Sequence, residues 1–110
     1  MPAPTDFSAI DVRVGTVLRA DPFPEARKPA IKLVVDFGPE IGLLRSSAQV
    51  TVHYSCDMLP GRQVIGVVNI GERRIAGFVS QALILGALPR PHEIVLLAVD
   101  RPVPNGTRIG

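Results

Sequence analysis

Residues 12–38, VRVGTVLRADPFPEARKPAIKLVVDFG, decide the architecture, because they pass from strand to loop and back to strand in one short span. Val12, Val14, Thr16 and Leu18 alternate with Arg13 and Arg19, the period of two of a half-buried strand, and Gly15 marks a bend or bulge. Prolines 22, 24 and 29 then fix φ and remove backbone donors, so the segment continues neither a helix nor an inner strand. A loop is expected there, holding Phe23 between Pro22 and Pro24. From Ile31 the alternation resumes, with Ile31, Leu33, Val35 and Phe37 on one face of a second strand.

Further along, GPEIG (38–42) turns the chain into LLRSSAQVTV (43–52), a third strand. HYSCDMLPGR (53–62) supplies one helical turn closed by Pro60 and Gly61, and VIGVVNI (64–70) is an apolar run of strand length. Residues 74–85 read as one strand bent at Gly77, and IVLLAV (94–99) as the last strand before RPVPNGTRIG, whose Pro-Asn-Gly is a turn signal. Short strands at this density, with glycine bends and at most one or two short helices, predict an all-β small barrel whose closure removes the sheet edges. A chain of 110 residues fits a single domain, 1–110, large enough to bury a core without disulfides or metal.

Composition narrows the function classes. Hydrophobic residues make up 46 % with only four Phe and one Tyr, so the core rests on Val, Ile and Leu, and the surface is apolar enough to suggest a homodimer. The net charge is +2, and the twelve basic residues, ten of them Arg, are spread along the chain. That balance permits nucleic-acid binding without arguing for it. Cys56 stands alone, which suits a reducing compartment, and MPAPTDFSAI has neither the basic start nor the apolar run of a signal peptide. No apolar run is long enough to span a bilayer, and a cytoplasmic location is expected.

Chemistry that needs metal or nucleotide finds no footing. His53, His92 and Cys56 offer no paired ligand spacing, and neither a P-loop nor a G-x-G-x-x-G turn is present, so no cofactor is expected. His53 lies near Ser46, Ser47 and Ser55, but no nucleophile elbow surrounds any of these serines, and the chain is read as a non-enzyme. Two binding-type features remain: the loop PFPEARKP, presenting Phe23 with Arg27 and Lys28, and RRIAGFVSQALILGA (73–87), where Arg73, Arg74, Ser80 and Gln81 interrupt an apolar run that follows Asn69.

Taken in order, IDVRVGTVLRADPFPEARKPAIKLVVDFG, RSSAQVT, LPGRQVIGVVNIGERRIAGFVSQALILGA and PVPNGTRIG resemble the tRNA-binding domain family, an OB-fold module found free-standing and appended to aminoacyl-tRNA synthetases. FPEAR, RSSAQ and RRIAGF are most similar to its free-standing, export-related chaperone members. The resemblance implies a five-stranded Greek-key barrel, with short helical turns and terminal extensions. It implies a homodimer joined through the N-terminal segment and the C-terminal strands. It also implies a cytoplasmic protein that binds unfolded or precursor polypeptides without ATP and delivers them to the secretion machinery.

The chain departs from the tRNA-binding members where they carry His-Pro, having Phe23-Pro24, and in the motif N-L-K-P-x-K-M-R-G-x-x-S-x-G-M, where Gly71 and Ala76 replace basic residues and Ile75 and Leu83 replace methionines. Each lost phosphate partner weakens binding that depends on counterion release. On this resemblance Phe23, Ile75, Ala76 and Phe78 line an apolar pocket for a polypeptide, and Ser47, Asn69, Arg74 and Ser80 stand around it as hydrogen-bonding groups. The alternative is structure-specific tRNA binding through Asn69, Arg73, Arg74 and Ser80.

Overall fold

Val12–Pro22 forms one long strand, β1, and the way its two faces are covered explains how so small a sheet closes on itself. The computed structural model describes residues 7–110. One edge of β1 pairs antiparallel with β2 (Ile31–Asp36) and the other with β4 (Gln63–Val67). Between Val17 and Arg19 the register with β2 shifts, and the bulge leaves Leu18 half exposed while Val17 is buried.

The expected face of Val12, Val14, Thr16 and Leu18 is the outer one, and the opposite face enters the barrel. Gly15 and Val17 face the barrel interior, where a Cβ on Gly15 would stand 2.7 Å from Val35 Cγ1 and 2.8 Å from Phe37 Cδ1. Val12 and Val14 lie on the outer face with Ile65 and Val67, and Val99, Val103 and Ile109 of the C-terminal extension cover them. The Pro-Asn-Gly turn makes this possible. It returns the chain along the part of β1 that β2 leaves unpaired, with Gly106 donating to Val14 O at 2.7 Å and Ile109 to Val12 O at 2.8 Å.

Inside the barrel, Ile31, Leu33, Val35 and Phe37 form one apolar row, as the alternation predicted. A short helix, α1 (Gly38–Ile41), leads into β3 (Leu43–Ala48), and a 3-10 turn at Cys56–Met58 delivers Leu59, fully buried, into the core. The barrel order is β3-β2-β1-β4-β7, with β7 at Leu83–Ile84. β3 stops at Ala48 and β4 at Val67, so both strands are shorter than expected.

Closure between β3 and β7 is made mainly by residues 80–82. Gln81 donates its N–H to Arg45 O at 2.7 Å and accepts Arg45 N–H on Oε1 at 3.0 Å. The fully buried Ser46 hydroxyl donates to Ala82 O at 2.7 Å, and Ser47 N–H reaches Ser80 Oγ at 3.3 Å. The result is a nearly closed, five-stranded antiparallel barrel of OB-fold type.

The expected bent strand over 74–85 is instead a tight hairpin followed by a separate strand. β5 (Arg73–Ile75) and β6 (Phe78–Ser80) are joined through Ala76 and Gly77, whose φ values of 47° and 81° are both positive, the signature of a type I′ turn. β8 (Gly86–Arg90) and β9 (Glu93–Leu96) form a second hairpin about Pro91 and His92. β8 was not expected from the sequence, and its Pro89 is tolerated in a two-stranded sheet. The strand expected over 94–99 ends at Leu96.

Candidate functional site

The two irregular features singled out in the sequence face each other across a groove of about 610 Å³. The loop between β1 and β2 forms one wall, the β5–β6 hairpin the other, and the end of β3, β7 and β9 form the floor. In OB-folds this region, the face of the second and third strands with the flanking loops, is where extended ligands lie. The hairpin occupies the connection between the fourth and fifth barrel strands and so builds one of those flanks.

The floor is apolar, with Ala48 and Val50 buried and Ile75, Leu83 and Ile94 more open. Arg27 and Lys28 stand on the loop wall and Arg73 on the hairpin wall, with Glu25 the lining acid. A smaller groove of about 310 Å³ shares Lys28 and Gln49 with the first and runs past Val52 to His92.

Ser47, Ile75 and Ala76 are the expected site residues that line the groove, together with Arg73. Phe23 is 5 % exposed and packs edge-on against Phe78 with ring centroids 5.5 Å apart, so this aromatic pair fills space behind the wall. Lys32 Nζ lies 5.4 Å from the Phe23 centroid and 5.9 Å from that of Phe78, and the Arg45 guanidinium lies 5.7 Å from the latter. Such contacts hold cations in place without a carboxylate.

Of the remaining expected polar groups, Ser80 and Asn69 are engaged inside the chain. Ser80 is 8 % exposed and its hydroxyl takes part in barrel closure. Asn69 accepts Asp11 N–H on Oδ1 and donates Nδ2 to Ala9 O, both at 2.9 Å, which ties residues 9–11 to the end of β4. In the hairpin register Arg73 pairs with Ser80, Arg74 with Val79 and Ile75 with Phe78. Side chains alternate, so Arg74 and Val79 share the face opposite to the one that turns Arg73 and Ile75 toward the groove.

His53, weighed as a base, has its Nε2 2.7 Å from Glu93 Oε2 and fastens the segment before the 3-10 turn to β9. Lys32 and Arg45 are the residues that sequence reasoning missed. Lys32 and Arg45 occupy outward positions of β2 and β3, and the alternation that placed their apolar neighbours inside is the signal that locates them.

Folding also changes the reading of charge. Arg27, Lys28, Lys32, Arg45, Arg73 and Arg74, half of the twelve basic residues, gather on the groove walls and the hairpin beside them. Among the described residues none of these six forms an ion pair, nor do Arg62 and Arg108, whereas Arg13, Arg19, Arg90 and Arg101 do. Among the described residues no helix is long and apolar enough to cross a membrane.

Comparison with known proteins agrees with this geometry. Residues 12–108 match the family model for the tRNA binding domain. A crystal structure of the chaperone CsaA from Bacillus anthracis superposes with a TM-score of 0.93 at 46 % identity, covering 100 % of this chain and 99 % of that one. The CsaA chaperone protein of Picrophilus torridus gives a TM-score of 0.89 at 41 % identity, with both chains covered completely.

Methionine--tRNA ligase of Bacteroides fragilis is 32 % identical over 104 residues, 94 % of this chain, but the chain spans only 15 % of that relative's length. The similarity to CsaA chaperones is thus carried by structures that match from end to end, and the ligases carry the same module as an accessory part. The chain belongs to the tRNA-binding domain family.

Proposed function

We propose that this protein is a nucleotide-independent chaperone that holds unfolded or precursor polypeptides in the groove between the β1–β2 loop and the β5–β6 hairpin. The observation that carries the reading is the groove itself: an apolar floor with a cationic rim on the ligand-binding face of an OB barrel, in a chain like CsaA over its full length. Burial of client side chains against Val50, Ile75, Leu83 and Ile94 contributes about 25 cal/mol per Å² whatever their order, which gives affinity with loose selectivity. Ser47 and Arg73 supply polar contacts to the client backbone, Ala76 and Ile75 supply apolar ones, and Phe23 and Phe78 hold the walls in shape. In this reading the protein is a cytoplasmic homodimer that passes clients to the secretion machinery.

A second reading, tRNA binding, is favoured by the gathering of six unpaired cations and by the family. Its contacts would be Arg73 and Arg74 on the hairpin with Arg27 and Lys28 across the groove.

Aggregation of a chemically unfolded client, followed by light scattering, tests the chaperone reading. The protein is expected to suppress it, and Ile75→Asp, which puts a charge on the groove floor at a partly exposed position, is expected to lose most of that effect while keeping its melting temperature within a few degrees. A folded Ile75→Asp variant that protects as well as the wild type would remove the groove from the account.

A further inference from the structure

We infer that the groove selects extended polypeptide segments whose apolar residues are flanked by carboxylates, and discriminates against segments flanked by lysine or arginine. The inference deepens the chaperone reading and rests on it. Three cations line the groove, Arg27 and Lys28 from one wall and Arg73 from the facing one, against the single acid Glu25. None of the three has an ion-pair partner among the described residues. Lys32 and Arg45 stand behind the wall on the Phe23 and Phe78 rings and add charge of the same sign.

An apolar concave surface concentrates such a field, because its low-dielectric walls screen the charges less than open water does. An acidic flank would place carboxylates between donors that already face each other, and the guanidinium forks of Arg27 and Arg73 match a carboxylate with two parallel hydrogen bonds. A basic flank would bring like charges beside three cations with nothing to neutralise them, and such juxtaposition suppresses wrong partners more than it alters apolar contact. Apolar floor and cationic walls together therefore specify a pattern, apolar centre and acidic ends, which hydrophobic burial alone cannot specify.

Three fluorescent peptides with one apolar centre and flanks of glutamate, serine or lysine, titrated with the full chain and read by anisotropy, test the inference. At low ionic strength the acidic peptide is expected to bind about ten-fold tighter than the basic one, and the gap should narrow as salt rises. Arg73→Glu, which changes an exposed side chain and should keep the fold by circular dichroism, is expected to erase or reverse the order. Equal affinity of the three peptides would overturn the charge selection and leave the chaperone reading standing. Polyglutamate binding as tightly as the acidic peptide would overturn the combined pattern, since the apolar centre would then be irrelevant, and would count against the chaperone reading too. Failure of all three peptides to bind, with labelled tRNA binding instead, would remove both.

Discussion

At the scale of single residues, a polar side chain in an apolar run has two physical explanations, and only its partners distinguish them. Ser80 and Asn69 look like rim groups in the sequence, yet one closes the barrel through Ser47 and the other ties residues 9–11 to the end of β4. Apart from the Ser80 contact with Ala82 O, their hydrogen-bond partners lie 33 to 60 residues away, a separation that no local pattern encodes. Ser80→Ala is accordingly expected to lower stability by about 1–2 kcal/mol, through an unsatisfied buried donor, while leaving peptide affinity within two-fold; thermal melts and peptide titration of the same sample would show it. Phe23→Ala should be more severe. Its ring is buried against Phe78, so its loss is expected to destabilise by roughly 3 kcal/mol, the low end for a buried aromatic because the site is a loop that can partly collapse. Denaturant unfolding of that variant would measure it, and a stability unchanged from wild type would mean that the aromatic pair does not hold the wall.

At the scale of elements, the strands of the barrel were legible wherever apolar residues alternate, as in β2, because a period of two has one structural meaning. The hairpin was not legible. Ala76 sits at φ 47° in a type I′ turn, where asparagine or glycine would have announced the reversal, and an alanine carries no such signal. Ala76→Gly is therefore expected to stabilise the protein, by roughly 0.5–1 kcal/mol, since glycine adopts this conformation without steric penalty. A rise of a few degrees in the melting temperature is the expected reading, and a fall would show that the alanine methyl contributes more by lining the groove than it loses in the turn. The bulge at Leu18 hid in the same way. Val17 faces the core before it and Ala20 packs on the same core after it, so alternation read straight through the bulge loses its phase from Arg19 onward.

At the scale of the whole molecule, the charge distribution was the least legible feature. Basic residues scattered along the sequence come together around the groove because the β1–β2 loop and the hairpin wall it, while β2 and β3 carry Lys32 and Arg45 onto the aromatic pair behind. Assembly belongs to this scale too. Part of the N-terminal segment expected to join two subunits, residues 1–6, lies outside the described residues, while Leu88, Val95 and Leu97 of the C-terminal region are exposed apolar side chains of the kind that subunit contacts cover. A homodimer is expected in light scattering coupled to size exclusion. Its two grooves should bind a long unfolded chain at least ten-fold tighter than a short peptide, by effective concentration. Equal affinities would mean that the grooves act singly.

On the proposed function, polypeptide is the preferred occupant of the groove and RNA is not. The direct test is anisotropy of a labelled, unfolded precursor segment bound to the protein, titrated with bulk tRNA at physiological salt, where exposed charges are screened beyond ~8 Å. Retention of the segment through the titration is the predicted result, because apolar burial survives salt that weakens phosphate contacts. Displacement at stoichiometric tRNA, or no binding of the segment beside tight binding of labelled tRNA, would contradict it and make the cations of the groove a phosphate site.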